Sequence, residues 1–284
     1  MSFTNDELDI IRRAYAAHVL AAAGVRNERL EAAFITVPRE KFLGPGPWSI
    51  LSWQQDYVVT PSDDPAYLCA DVLVGIEIDT DIRLNNGKPS FHALLIDHAN
   101  PAAGDHVVHI GAGTGYFTAI LAALAGPAGR VTAIEYELDL ARRAARNLAD
   151  CEHVTVVEGD GTTADFDAAD VVYVNAGATH PAAIWLDRLK EGGRLILPLT
   201  AGKGFGKRGA VFRIGRTGDR YSATWLSGVA IYPCAGARDD AAEAALLRAF
   251  EKKGWEFVQS LHRHNDIPAE GCWLWADGWC LSYD

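Results

Sequence analysis

The fold is decided by the ten residues His106-Val107-Val108-His109-Ile110-Gly111-Ala112-Gly113-Thr114-Gly115. Three of the first five are β-branched, as is typical of a buried strand, and the glycines lead into a helical pattern that begins near Phe117. In a turn of this kind, backbone N–H groups and the positive end of the helix dipole face a ligand, and the missing side chains let it approach closely. The stretch therefore predicts a ligand-binding turn between a strand and a helix.

The spacing of the glycines narrows the class of ligand. They follow a GxGxG pattern, and Tyr116 stands where the GxGxxG fingerprint of dinucleotide-binding proteins has its third glycine. A tyrosine there disfavours the close pyrophosphate contact of NAD-dependent enzymes. A nucleoside without a diphosphate fits this turn better.

Outward from the turn, strand-like and helix-like runs alternate. The predicted strands cover 106–110, 130–134, 154–157, 170–174 and 192–198, and the helices between them lie around 117–125, 138–148 and 181–189. This alternation produces βαβ units, and hence a parallel sheet covered on both faces. The runs 210–214 and 221–226 flank Thr217-Gly218-Asp219 and predict an antiparallel hairpin. The five strands and the two of the hairpin make a doubly wound, mostly parallel, seven-stranded α/β sheet.

The residues before and after this pattern predict two additions. Thr4 and Glu7 form a capping box for a first helix that Gly24 ends, a proline-, glycine- and tryptophan-rich segment follows, and Asn85-Asn86-Gly87-Lys88-Pro89 is a turn before another helix. We therefore expect a helical and irregular cap segment over 1–100 and a ligand-binding domain over 101–235. Residues 236–284 should form a C-terminal addition, with a helix over 239–252 and a tail that contains Trp273, Trp275 and Trp279.

Composition excludes several classes of partner. The chain has 26 basic and 37 acidic residues, a net charge of −11, which repels nucleic acids and anionic lipids, and the densest basic stretch, 203–208, reads as a solvated loop. The five cysteines are scattered without metal-ligand spacing, and His262-Arg263-His264 lacks further ligands nearby, so we expect reduced thiols and no metal. No apolar run reaches the ~20 residues of a membrane span, and the polar start does not resemble a signal peptide. We expect a cytoplasmic protein, with a homo-oligomer possible.

Two carboxylates follow strands next to the glycine turn. Glu135 ends the second strand, twenty residues beyond Gly115, where a carboxylate accepts hydrogen bonds from ribose hydroxyls. Asp160 lies in the turn after the third strand, in Glu158-Gly159-Asp160-Gly161, and is placed to face an adenine. Together with the glycines, they favour an adenosyl ligand.

These features resemble the protein-L-isoaspartate O-methyltransferases, within the Rossmann-like S-adenosylmethionine-dependent methyltransferases. The resemblance runs from about Leu30 to Pro233 and is carried by Val37-Pro38-Arg39-Glu40-Lys41-Phe42, by the glycine turn, and by Gly159-Asp160-Gly161 through to the segment 186–198. It implies that the glycines line the methionine part of S-adenosylmethionine, Glu135 the ribose, and Asp160 and Gly161 the adenine. The cofactor-binding set that we predict is Gly111, Ala112, Gly113, Gly115, Tyr116, Glu135, Tyr136, Asp160, Gly161 and Asn175.

The chain departs from this family at two places. His109 replaces an acidic residue before the turn, and Gly87 replaces the serine of a Thr-Ile-Ser-x-Pro segment that in the family helps to position the acceptor carboxylate. The catalytic candidates in this segment are Asn86, Ser90 and His92. The leading prediction is methyl transfer to a carboxylate of a protein, a peptide or a small molecule.

The nature of the acceptor decides whether a catalytic base is needed. A carboxylate, with a pKa of about 4, is already ionised at neutral pH and needs none; a hydroxyl or amine acceptor would call for one, with His92, His98 and His180 as candidates. The alternatives are an O- or N-methyltransferase of a small metabolite, a non-catalytic S-adenosylmethionine-binding protein and an NAD-dependent oxidoreductase.

Overall fold

The computed structural model describes residues 3–52, 56–77, 84–202, 208–264 and 267–284. The chain divides into two compact units. The first comprises Met1–Gly104, Ala112–Val131 and Glu137–Val156, and the second comprises Asp105–Gly111, Thr132–Tyr136 and Val157–Asp284. The predicted basic loop at 203–208 lies mostly outside the described residues.

The first unit is built mainly from helices. Its elements are α1 (Asn5–Ala23), α2 (Glu28–Thr36), β1 (Ser49–Ser52), β2 (Asp56–Val59), β3 (Gly75–Glu77), β4 (Leu84–Asn85), α3 (Pro89–Ala99), α4 (Tyr116–Ala125) and α5 (Leu138–Asn147). The capping box of α1 is present, with the Thr4 side chain accepting from Glu7 N, and Gly24 ends the helix at φ 69°. Local sequence signals therefore determine this helix, as predicted.

The proline-rich part of the first unit is ordered around a buried arginine. Arg39 is 2% exposed and lies in a short 3-10 helix, Arg39–Phe42. Its guanidinium donates to the carbonyl oxygens of Leu68, Ala70 and Val72 at 2.8–3.1 Å. One side chain therefore satisfies three backbone carbonyls at and just after the end of the short 3-10 helix Pro65–Leu68.

The second unit contains most of the sheet. Its strands are β5 (His106–Ile110), β8 (Ala169–Val174), β9 (Leu189–Ala201), β10 (Arg208–Thr217), β11 (Arg220–Gly228), β12 (Ser260–His262), β13 (Cys272–Ala276) and β14 (Trp279–Ser282), together with the carboxyl ends of β6 (Arg130–Glu135) and β7 (Val154–Glu158). Its helices are α6 (Ala183–Asp187) and α7 (Asp240–Lys252). The strand order is β13-β14-β12-β11-β10-β9-β8-β5-β6-β7.

The two halves of this sheet differ in strand direction. β5 pairs with β8, and β8 with β9, in parallel, whereas every pairing from β9 outward to β13 is antiparallel. β5 is buried along its whole length, as expected for a strand covered on both faces. The predicted α/β fold is confirmed, and the predicted antiparallel hairpin is the pair β10–β11, although the sheet does not end there.

The sheet is wider than the predicted seven strands. The C-terminal addition supplies three more, β12, β13 and β14, which continue from the hairpin. Trp273 is 2% exposed, and its ring lies 5.6 Å from that of Phe212 and 5.4 Å from that of Phe250. The tryptophan-rich tail is thus a packed part of the second unit, because its large side chains bury apolar area against the sheet and α7. Among the described residues, no helix has the length and apolarity needed to span a bilayer.

Replacing Trp273 with alanine should lower the free energy of unfolding by about 3–5 kcal/mol, because it leaves a large cavity. It also leaves the carbonyl of Ala249 without its 3.0 Å bond from Trp273 Nε1. The control is Trp275→Ala on the same strand, where the side chain is 44% exposed and the cost should stay below about 1 kcal/mol. Urea unfolding measures both. A loss of unfolding free energy below about 1 kcal/mol in Trp273→Ala, as in the control, would show that the tail is not integral to the fold.

Candidate functional site

Four neighbouring strands of the second unit end at one edge of the sheet. Backbone hydrogen bonds join the residues there: Gly111 N to Ile134 O at 2.9 Å, Asn175 N to Ile110 O at 2.8 Å, and Gly159 N to Glu135 O at 2.9 Å. The carboxyl ends of β5, β6, β7 and β8 thereby present Gly111, Glu135 with Tyr136, Asp160 with Gly161, and Asn175. Ligands of α/β sheets bind outside these ends.

Gly111 is required by packing. It has φ 77°, and a Cβ there would lie 3.1 Å from the carbonyl oxygen of Asn175. The Asn175 side chain in turn donates from Nδ2 to Gly111 O at 3.2 Å. Asn175 therefore holds the glycine turn in place, so its side-chain amide already has a structural partner.

The other two glycines have different reasons to be glycine. Gly115 has φ 93°, and a Cβ there would lie 2.8 Å from Cδ1 of Leu148, the C-cap of α5, and 3.6 Å from Cα of Ala144 in that helix, so the end of α5 packs directly against it. Gly113 has φ 58°, but a Cβ there would meet nothing within 4 Å. Of the three, Gly113 is the one that faces open space, and it is the position where a ligand can approach the backbone.

Tyr116 does not turn its side chain toward a ligand. The residue is 2% exposed and its ring packs at 6.4 Å from Phe34 and 5.7 Å from Phe42, while its hydroxyl lies 3.3 Å from that of Tyr15. Ala112 is likewise buried. Any contact of these two residues with a ligand would involve the backbone of the glycine turn at Ala112 and of the first residue of α4 at Tyr116.

The two carboxylates differ in their surroundings. Glu135 is 6% exposed, whereas the adjacent Tyr136 is 57% exposed. Asp160 accepts hydrogen bonds at Oδ1 from Thr162 N at 2.9 Å and Thr162 Oγ1 at 2.8 Å. Thr162 therefore holds Oδ1, whereas Oδ2 accepts no hydrogen bond from a described residue.

Trp185 is a supporting residue that sequence reasoning missed. It is fully buried, and its Nε1 donates to the carbonyl of Gly161 at 2.7 Å. Gly161 itself must be glycine, since a Cβ would lie 2.4 Å from Ile110 Cγ2. An isolated tryptophan in a helix carries no local signal of this role, because its partner Gly161 lies 24 residues earlier in the chain.

His109 is neutral in the folded protein. It has no exposed surface and its ring lies edge-on to Tyr173, at 5.3 Å between centroids. Burial disfavours the charged imidazolium and lowers the pKa of His109 to about 3. The residue before the glycine turn therefore brings no positive charge.

Gly87 and His92 share one space in the first unit. Gly87 has φ 77°, and a Cβ there would lie 2.3 Å from His92 Nε2. The His92 ring stacks on Phe117 at 3.7 Å and 18° between planes. The imidazole therefore fills the place that a side chain at position 87 would need.

The side-chain donors of Ser90 and Asn86 differ in whether they already have a hydrogen-bond acceptor in the protein. Ser90 donates from N at 2.8 Å and from Oγ at 2.7 Å to the carboxylate of Asp71, which also accepts from Lys88 Nζ at 3.2 Å, so Asp71 caps α3. Asn86 is 8% exposed, and its Oδ1 accepts from Arg39 Nη2 at 2.6 Å. Its Nδ2 is buried and donates to no described residue. Asn86 thus retains an unused donor, whereas the Ser90 hydroxyl is committed.

Replacing His109 with phenylalanine should make stability less dependent on pH. The unfolded chain binds a proton at this residue below about pH 6.5, whereas the folded chain stays neutral down to a pKa of about 3. His109 therefore costs stability progressively as the pH falls through this window, by up to about 1.4 kcal/mol per pH unit. Between about pH 7.5 and pH 5, the wild type should lose roughly 1–2 kcal/mol more than the variant in urea unfolding. Equal losses of unfolding free energy in the wild type and in His109→Phe would contradict a neutral, buried imidazole.

Comparison with known proteins identifies the family. The model of the protein-L-isoaspartate(D-aspartate) O-methyltransferases matches residues 16–233. A protein-L-isoaspartate O-methyltransferase of Methanoregula boonei is 32% identical over 76% of this chain and 89% of its own length, and one of Thermotoga maritima is 30% identical over 64% of this chain and 53% of its own. A solved protein-L-isoaspartate O-methyltransferase superposes with a TM-score of 0.67 at 25% identity, over 84% of this chain and 69% of the other. The chain therefore belongs to the protein-L-isoaspartate(D-aspartate) O-methyltransferase family, which confirms the expected S-adenosylmethionine-dependent methyltransferase.

Proposed function

We propose that this chain transfers the methyl group of S-adenosylmethionine to a carboxylate of a protein or peptide. The observation that carries the proposal is the set of groups at neighbouring strand ends, Gly111, Glu135 and Asp160, in a chain of this family. The glycine turn supplies backbone donors at the start of a helix, and the two carboxylates are acceptors for the hydroxyl and amine groups of an adenosine.

The residues present fit S-adenosylmethionine. Gly113 leaves open space beside the turn, the Glu135 carboxylate would accept from the ribose hydroxyls, and Asp160 Oδ2 would accept from the adenine. A cation beside a sulfonium would repel it, and the neutral His109 avoids this. In this assignment, Gly111, Ala112, Gly115 and Tyr116 act through their backbone, Tyr136 and Gly161 adjoin the adenine, and Asn175 acts by holding Gly111.

The methyl transfer depends on the positioning of the two reactants more than on proton transfer. S-adenosylmethionine supplies a methyl group on a sulfonium, which is an intrinsically good electrophile. A carboxylate of pKa about 4 is ionised at neutral pH and attacks without a base. The work of the protein is to align the two groups, and pre-alignment alone supplies a large rate factor.

Asn86 is the best candidate for holding the acceptor. The hydroxyl that the family serine would offer is missing at Gly87, and the Ser90 hydroxyl is bound to Asp71. Arg39 fixes the Asn86 amide through Oδ1, which leaves the Nδ2 donor for a carboxylate. A donor that is buried and unsatisfied is costly unless a ligand completes it.

The oxidoreductase alternative has no support at the turn. The third glycine of a dinucleotide fingerprint would stand at Tyr116, and here the tyrosine side chain anchors a buried aromatic cluster. Glycine at this position would remove that cluster's central ring.

Gly113→Ala should weaken binding of S-adenosylhomocysteine at least tenfold, because the added methyl enters the space that the ligand needs. Backbone strain at φ 58° should cost only about 1–2 kcal/mol of stability. Gly24→Ala is the matched control, since Gly24 has φ 69° and open space but lies at the end of α1. Calorimetric titration gives the affinities. Unchanged affinity in Gly113→Ala would remove the turn from the cofactor site.

Asn86→Asp should reduce methylation of an isoaspartyl peptide by about thirtyfold in kcat/KM, because a charge-assisted donor of about 2 kcal/mol becomes a repelling carboxylate. Asn85→Asp is the control; its Oδ1 can still accept from Gly87 N at 3.0 Å, and it adds the same charge one residue away. The assay follows labelled methyl groups released by mild alkali, which cleaves esters. Both variants should bind S-adenosylhomocysteine like the wild type. Binding without transfer to the peptide would exclude this acceptor, and small carboxylic acids would be tested next.

A further inference from the structure

A segment at the start of the C-terminal addition crosses the loop after β8. Residues 232–238 lie between β11 and α7 and extend past position 233, where the match to the family ends. Gly177 N donates to Tyr232 O at 2.7 Å, and Thr179 N donates to Ala237 O at 2.9 Å. Both ends of the 232–238 segment are therefore tied to the loop that follows Asn175.

A half-buried ion pair secures the end of the segment. Arg238 donates from Nη1 to Thr200 O at 2.9 Å and to Gly177 O at 3.2 Å, and from Nη2 to Glu243 at 2.6 Å. These contacts join β9, the loop after β8 and α7 around a single guanidinium. The 232–238 segment is thus fixed within the second unit by hydrogen bonds to a strand, a loop and a helix.

Within this segment, Gly236 lies directly against the carboxylate of Asp160. A Cβ on Gly236 would fall 2.1 Å from Asp160 Oδ2 and 2.2 Å from Oδ1. The φ angle of Gly236 is outside the left-handed region, so the backbone itself would accept any residue. The close approach to Asp160 is the reason why position 236 has no side chain.

The partly buried carboxylate of Asp160 is therefore confined on two sides. Thr162 holds Oδ1 through two hydrogen bonds, and the backbone of Gly236 forms a wall on the other side. A carboxylate held in this way can only accept hydrogen bonds, and it does so in a fixed direction. Such a group favours a ligand with an N–H at that point and opposes one with an oxygen there.

We infer that Gly236 is a positioning residue for Asp160, and that through it the 232–238 segment makes the site selective for a base with an exocyclic amine. The inference rests on the proposed function, in which Asp160 faces the adenine. It concerns a part of the chain that lies beyond the family match.

The test compares S-adenosylhomocysteine with S-inosylhomocysteine, which carries an oxygen in place of the adenine amine. Calorimetric titration of Gly236→Ala should show an affinity for the adenosyl ligand about tenfold below that of the wild type, the usual size for one charge-assisted hydrogen bond. The affinity for the inosyl ligand should change much less, so the ratio of the adenosyl affinity to the inosyl affinity should fall. Gly228→Ala is the control, because its added methyl would come no closer than 3.9 Å to the nearest atom, and it should match the wild type.

A second pair of variants keeps the test decisive if Gly236→Ala folds poorly. In an Asp160→Ala background the three atoms nearest to the new methyl are gone, so Gly236→Ala should fold there and leave the affinity for S-adenosylhomocysteine unchanged. Two outcomes would overturn the inference. One is that Gly236→Ala alone lowers the affinity for both ligands equally. The other is that Gly236→Ala lowers the affinity for S-adenosylhomocysteine further in the Asp160→Ala background. A wild type that binds neither ligand would instead defeat the proposed function.

Discussion

The close approach of Gly111 to the carbonyl of Asn175 is the constraint on which the site depends. A side chain at Gly111 would lie 3.1 Å from that oxygen, and the Asn175 amide reaches back to hold the glycine carbonyl. With the ends of β5 and β8 joined in this way, the neighbouring strands deliver Glu135 and Asp160 to the same edge. The site is therefore a consequence of how tightly the strand ends pack, because glycine alone permits such contact.

The polar groups assigned to ligand binding are each held by a residue that would not itself touch the ligand. In the second unit, Thr162 fixes one oxygen of Asp160 and Trp185 holds the carbonyl of Gly161. In the first unit, Arg39 orients the Asn86 amide. These supports suit a reaction whose main requirement is alignment. A nucleophile that is already ionised gains from fixed geometry rather than from a shifted pKa.

The departures from the family form a consistent set. The serine position is occupied by Gly87, and the imidazole of His92 fills the vacated space while stacking on Phe117. The acidic position before the turn holds His109, which burial keeps neutral. Each change is accommodated by its surroundings, so the chain keeps the architecture of a methyltransferase. In the proposed function, the amide of Asn86 would take the place of the family hydroxyl as the donor to the acceptor carboxylate.

The sequence by itself determined the α/β class, the strand–turn–helix at Gly111 and the capped first helix, because periodicity and turn chemistry act between near neighbours. It also placed Glu135 and Asp160 through their position at strand ends. Only the tertiary structure decided that the Tyr116 side chain is buried, that Asn175 holds the turn, and that the C-terminal tail adds three strands. These outcomes, like the contact between Gly236 and Asp160, join residues far apart in the chain, and local patterns do not encode which distant surfaces will meet.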